Sequence, residues 1–162
     1  MASAYFDDAG KMVCCLLLLP WVAQRICRQT EAPGCDGLRI LVVDDESLMR
    51  FALTQDLERA GHRVEAVSTG WEALEAVRSV PLDLMILDLR LPNVSGLDIL
   101  RACRRQVPGL RVVMISAYAT AEDRRAVLAE GADRFLEKPF PLAELREVVA
   151  SLGPPSEGTR DF

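Results

Sequence analysis

The sequence predicts an α/β domain, a five-stranded parallel sheet that is doubly wound, with helices on both faces. Three observations carry this expectation. From Leu38 onward, short apolar runs alternate with segments of helical period, the pattern of βαβ units. The runs near Leu38 and Leu82 are almost continuously apolar, as in strands covered on both faces. Breakers (Gly61, Pro81, Pro108-Gly109, Gly131 and Gly153-Pro154-Pro155) fall between the runs rather than inside them.

The first strand is read as Leu38 to Val43. A helix follows from about Ser47, with Met49, Ala52, Leu53, Leu57 and Ala60 at helical spacing and Gly61 where a C-terminal cap takes a left-handed residue. Arg63 to Val67 is the second strand. Ser68 or Thr69 caps a second helix through Trp71, Ala73, Leu74 and Val77, which must end near Pro81 because the residue before a proline avoids the helical region. Leu82 to Leu87 is the third strand and ends at Asp88. After a Pro92–Gly96 turn, Leu97, Leu100, Cys103 and Val107 mark a third helix, stopped by Pro108-Gly109. Val112 to Ile115 is the fourth strand. A weaker fourth helix covers about Ala121 to Glu130, and a short fifth strand, Arg134 to Glu137, leads into Lys138-Pro139. In the last helix Leu142, Leu145, Val148, Val149 and Leu152 share one face, opposite Glu144, Arg146 and Glu147.

Composition narrows the function. The chain has 162 residues, 27% charged and 50% apolar, which suits one domain and not two. A net charge of -5 has the wrong sign for gripping a phosphate backbone, so no direct nucleic-acid binding is expected. Cys14, Cys15, Cys27, Cys35 and Cys103 form no CxxC pair, and His62 is the single histidine. Neither a zinc site nor a disulfide framework fits, and the expected location is a reducing cytoplasm. Cys103 reads as core packing and His62 as a partnerless surface residue.

The apolar run from Met12, extended to Ala23, falls short of the ~20 residues a spanning helix needs. Asp7 and Asp8 before it, and no prompt cleavage site after it, oppose a signal peptide. No membrane contact is therefore expected. Residues 1–37 end in the breaker cluster Ala32-Pro33-Gly34-Cys35-Asp36-Gly37 and are read as a poorly ordered extension. Residues 38–152 form the domain, and 153–162 a polar tail.

Right-handed crossovers bring ligand chemistry to the carboxyl ends of the strands. There the sequence has Asp44-Asp45-Glu46, Asp88, Ser116 and Lys138. Converging carboxylates repel unless a cation sits among them. Mg²⁺ answers that need, with Asp45 and Asp88 as ligands and Asp44 acting through water. A carboxylate is also a nucleophile toward phosphorus, and Asp88 is the central one. Lys138 offers a point charge for the carboxylate and then for a transferred phosphoryl group, and Ser116 a hydroxyl donor. Lys138-Pro139 is a candidate cis bond.

The strings Leu41-Val42-Val43-Asp44-Asp45-Glu46-Ser47, Leu87-Asp88-Leu89-Arg90-Leu91-Pro92 and Gly131-Ala132-Asp133-Arg134-Phe135-Leu136-Glu137-Lys138-Pro139-Phe140 resemble the receiver domain of bacterial response regulators, chemotaxis-regulator-like members included. The likeness spans about Leu38 to Leu152, with Ser116 28 positions after Asp88 and Lys138 22 after that. The resemblance implies a flavodoxin-like strand order, 2-1-3-4-5. It implies that Asp88 takes a phosphoryl group from a histidine kinase or phosphotransfer protein, with Asp44 and Asp45 completing the Mg²⁺ pocket and Arg90 lending its backbone carbonyl. It also implies a switch in which Ser116 is drawn in, Phe135 turns inward, and the surface of the fourth helix, fifth strand and last helix meets a downstream protein. Arg90 and Tyr118 are expected to flank the hydrolytic water and tune phosphoryl lifetime.

The expectation is thus a single-domain regulator with no output module, monomeric or dimerising on phosphorylation. Two other readings stand beside it. One is a receiver cut from a larger regulator or hybrid kinase. The other is an aspartyl-phosphate-forming phosphatase-like enzyme, which would want an acid/base Asp where this chain has Arg90. A flavin module is disfavoured because Asp44-Asp45-Glu46 repels phosphate.

Overall fold

Strand and helix alternate without interruption from Arg39 to Leu152 in the computed structural model of the protein, which describes residues 5–6, 12–13, 37–92 and 94–153. The elements are β1 (Arg39–Val43), α1 (Ser47–Arg59), β2 (Arg63–Val67), α2 (Gly70–Ser79), β3 (Leu84–Asp88), α3 (Gly96–Gln106), β4 (Arg111–Ser116), α4 (Ala121–Ala129), β5 (Arg134–Glu137) and α5 (Leu142–Leu152). All neighbouring strands of the sheet are parallel, in the order β2-β1-β3-β4-β5. The sheet and strand order expected from the sequence are both found.

Residues Met1–Cys35 count as a unit of their own, in which Tyr5–Phe6 pairs antiparallel with Met12–Val13. The sequence predicts no strand there, because two residues carry no period. The reading of 1–37 as an ill-ordered extension falls largely outside the described residues, as does that of the tail beyond Gly153. No helix among the described residues is long and apolar enough to cross a membrane.

Side chains of a strand point alternately to the two faces, and the chain uses both. Leu41, Val43, Met85, Leu87, Val112 and Met114 join Ala73, Val77, Ile99, Leu100 and Cys103 of α2 and α3 in one core. Ile40, Val42, Leu84, Ile86, Val113 and Ile115 join Leu53 and Leu57 of α1 and Leu145, Val149 and Leu152 of α5 in the other. The continuous apolar strands seen in the sequence are thus the middle layer of three.

Local chemistry sets the element ends. Thr69, rather than Ser68, is the N-cap of α2: it accepts from the Glu72 N–H, and the Glu72 carboxylate accepts from the Thr69 N–H. Gly61 (φ 92°) and Gly131 (φ 94°) take the left-handed conformation after α1 and α4. The third strand starts at Leu84, not Leu82, because Asp83 turns its carboxylate to the Arg39 N–H at 2.8 Å. β4 runs one residue further than expected at each end, to Arg111 and Ser116. His62 needs correction too. It is half-buried and accepts from the Leu38 N–H on Nδ1 at 3.2 Å, because β1–β2 pairing brings Leu38 beside it.

One close approach fixes the site's geometry. A Cβ on Gly96 would lie 2.3 Å from the Asp88 carbonyl oxygen and 2.8 Å from Leu89 Cα, so only glycine lets α3 start against the end of β3. Gly96→Ala is therefore expected to cost about 1–3 kcal/mol in urea unfolding. At Gly109 a Cβ meets nothing within 4 Å, and Gly109→Ala should stay within about 0.5 kcal/mol. Burial pushes the Cys103 thiol up to about 11. Alkylation at pH 8 followed by peptide mass mapping should leave Cys103 unlabelled in native protein and labelled after denaturation.

Candidate functional site

Four strand ends deliver the polar residues. Asp44 follows β1, is fully buried, and has the β1–α1 turn wound around it. Its Oδ1 accepts from the Glu46 N–H at 2.8 Å, and its carbonyl accepts from Arg50 Nη1 at 2.7 Å. Asp45 is exposed beside it. Asp88 closes β3 and is buried, its Oδ1 accepting from the Arg90 N–H at 2.8 Å. Ser116 closes β4 and is buried, its Oγ 3.4 Å from the Tyr118 N–H. Lys138 follows β5; its N–H donates to the Ser116 carbonyl at 2.8 Å, and its peptide bond to Pro139 is cis.

The centre of the arrangement is the Lys138 ammonium, which donates to Asp44 Oδ2 at 2.5 Å and to Asp88 Oδ2 at 2.6 Å. Desolvation works against its charge, but the hydrogen bonds and attraction of Asp44 and Asp88 outweigh that and raise its pKa. Asp88 is raised as well, first by desolvation and further by the Asp44 charge, against the opposing pull of Lys138 and the Arg90 N–H. Burial thus holds Asp88 nearer to protonation than a free aspartate, and Lys138 opposes that shift.

Carboxylate oxygens of Asp44, Asp45 and Asp88 lie within 4.8 Å of one another. Three carboxylates against one ammonium leave an excess of negative charge on a cluster of hard oxygen donors. That donor set fits a hard divalent cation such as Mg²⁺.

The residues singled out in the sequence as the site's chemistry therefore meet: Asp44, Asp45 and Asp88 with Lys138, and Ser116 on the adjacent strand end. Phe135 lies apart from them, in β5 opposite Met114. Phe135 is only 7% exposed, with the Arg124 guanidinium 5.5 Å from its ring centroid. Tyr118 is exposed. Two contributors escape the sequence reading. Arg50 belongs to no motif in the sequence, though it braces the Asp44 turn. Asp123 also goes unnoticed: its capping box with Thr120 is legible in principle, but its ion pair with Arg90 Nη2 at 3.6 Å is not.

The response regulator receiver domain family model matches residues 40–150. The transcriptional regulatory protein TcrA of Mycobacterium tuberculosis is 41% identical over 109 residues, covering 67% of this chain and 43% of its own. The sensory/regulatory protein RpfC of Xanthomonas campestris is 40% identical over 120 residues, 72% of this chain and 16% of its own. This chain spans about half the length of the first curated relatives it matches, or less. Among solved structures, a CheY-like receiver domain protein from Methanospirillum hungatei superposes with TM-score 0.69 at 30% identity, covering 71% of this chain and 92% of that one. A response regulator from Thermotoga maritima, in complex with Mg²⁺–BeF, gives TM-score 0.65 at 34% identity over 71% of this chain and 98% of that one.

Removing the ammonium leaves two buried carboxylates facing each other. Lys138→Ala is expected to cost about 3–5 kcal/mol in metal-free urea unfolding at pH 7. Adding Asp44→Asn should recover part of that loss, because one of the stranded charges is gone.

Proposed function

The chain belongs to the response regulator receiver domain family, the signalling domain of two-component systems, and on that premise we propose that Asp88 accepts a phosphoryl group from a histidine kinase or phosphotransfer protein. The observation that carries this reading is the Lys138 ammonium shared between Asp44 and Asp88 at the carboxyl edge of the sheet. An aspartate paired with a neighbouring cation, with its other oxygen pinned by the Arg90 N–H, is oriented for attack.

In the proposed step an Asp88 carboxylate oxygen forms the new O–P bond while the P–N bond of the donor's phosphohistidine breaks. The electron pair leaves on the imidazole nitrogen, which picks up a proton from solvent. Lys138 then pairs with a phosphoryl oxygen in place of the carboxylate, and the Ser116 hydroxyl donates to another. The side chains of Asp45 and Asp88, the Arg90 carbonyl, and Asp44 through water would hold Mg²⁺, which neutralises charge on the phosphoryl oxygens when bound. Drawing Ser116 toward the phosphoryl group favours the conformation in which Phe135 stays inside. Output is then a shift in the population of the α4–β5–α5 surface that a downstream protein binds.

The excess of acidic groups argues against this chain itself holding nucleic acid. A second reading, that the domain is the regulatory part of a larger regulator, is favoured by its covering about half the length of its relatives or less. Site chemistry is the same in both. A phosphatase-like enzyme is disfavoured because Arg90 cannot act as the acid/base group.

Incubation with acetyl phosphate and Mg²⁺ should add about 80 Da, one phosphoryl group, to the intact protein. The gain should vanish in Asp88→Asn and on chelation of Mg²⁺. Wild-type protein that gains no mass under these conditions would show that Asp88 is not an acceptor.

A further inference from the structure

We infer that the Arg90 guanidinium is a latch shared between two anions: Asp123 at the start of α4 holds it in the unmodified protein, and an anionic group built on Asp88 takes it away. The inference rests on the phosphoacceptor reading above and adds a path by which α4 senses that site.

Both links of the path are made by Arg90. The Arg90 N–H donates to Asp88 Oδ1 at 2.8 Å, so the backbone from which the guanidinium hangs lies against the acceptor carboxylate. The guanidinium itself lies 3.6 Å from Asp123 Oδ2. That same oxygen accepts from the Thr120 N–H at 2.9 Å and the Thr120 hydroxyl at 3.0 Å, closing the capping box of α4. Two links therefore join the acceptor to the cap of a helix. Hydrogen bonds from Thr120 chiefly, with the Arg90 charge contributing, hold the Asp123 carboxyl below the usual carboxylate range.

Magnitudes set the direction of exchange. The Arg90 and Asp123 side chains are 63% and 36% exposed, and such a pair shifts an equilibrium by a few-fold at most. A phosphoryl group carries close to two charges and three strong acceptor oxygens, which a guanidinium prefers to a carboxylate already satisfied by a helix cap. Asp123 keeps its Thr120 bonds and remains at a helix N-terminus, where a negative charge is tolerated, so α4 stays folded when the latch opens.

The two ends of α4 are fastened unequally. At its C-terminal end Arg104 donates to the Gly131 carbonyl and to Asp133, and Arg101 pairs with Glu130 at 2.7 Å. The N-terminal end has the exposed Arg90 contact. Opening the latch removes that ion pair one residue from Arg124, whose guanidinium lies over the Phe135 ring.

A double-mutant cycle on the full chain tests this, with beryllium fluoride and Mg²⁺ as the probe and calorimetry as the readout. Asp123→Asn keeps an oxygen to accept from Thr120 but drops the charge. It should tighten probe binding about two- to five-fold, because the guanidinium is released beforehand. Arg90→Ala should weaken binding, and in that background Asp123→Asn should change nothing. Equal effects of Asp123→Asn in both backgrounds would mean through-space charge or cap damage alone and overturn the latch, as would an Arg90→Ala variant that binds like wild type. A wild type that binds the probe with an additive cycle keeps the acceptor reading and removes the latch. One that neither binds the probe nor gains mass from acetyl phosphate removes both.

Discussion

Two carboxylates and an ammonium sit out of water at the carboxyl edge of the sheet, and none of the three is tolerable there alone. Desolvation raises the pKa of Asp88 and opposes the charge on Lys138, and Asp44 is fully buried beside them. Together, at 2.5 and 2.6 Å, each supplies the charge that the others require. The sheet must bring the ends of β1, β3 and β5 together for this triad to form. The start of α3 against Asp88 and the winding of the β1–α1 turn around Asp44 both serve that convergence.

The rest of the domain is built to hold those ends still. Alternation of side chains gives every central strand two apolar faces, and helices cover both. Arg39, Asp83 and Arg111 tie the opposite ends of β1, β3 and β4 through the Asp83 backbone and carboxylate. That packing contrasts with the exposed Arg90–Asp123 ion pair between the acceptor loop and α4. A signalling domain needs both properties: a preorganised place for chemistry and an element held loosely enough for a few-fold change in one interaction to shift its population.

Much of the candidate site is legible in the sequence. Parallel strands joined by helices can only point their carboxyl ends the same way, so Asp44, Asp45, Asp88, Ser116 and Lys138 had to lie along one edge. Their chemistry then suggested a metal and a phosphoryl group. Other features escaped for identifiable reasons. His62 looks partnerless because its partner is a backbone N–H, which every sequence position offers equally. The pairing of Arg90 with Asp123 escapes because their meeting depends on where the β3–α3 and β4–α4 loops lie in space.

The sequence by itself determined the alternation of strand and helix, the two-faced burial of the sheet, and the identity of the residues at its chemical edge. These follow from local periodicity and from the parallel connection rule, which act along the chain. Tertiary structure alone decided that Lys138 bridges Asp44 and Asp88, that Phe135 is buried beneath Arg124, and that Gly96 permits α3 to abut β3. Each of those depends on distances of a few ångströms between segments tens of residues apart, and such distances are set by how the two cores pack rather than by any pattern within a segment.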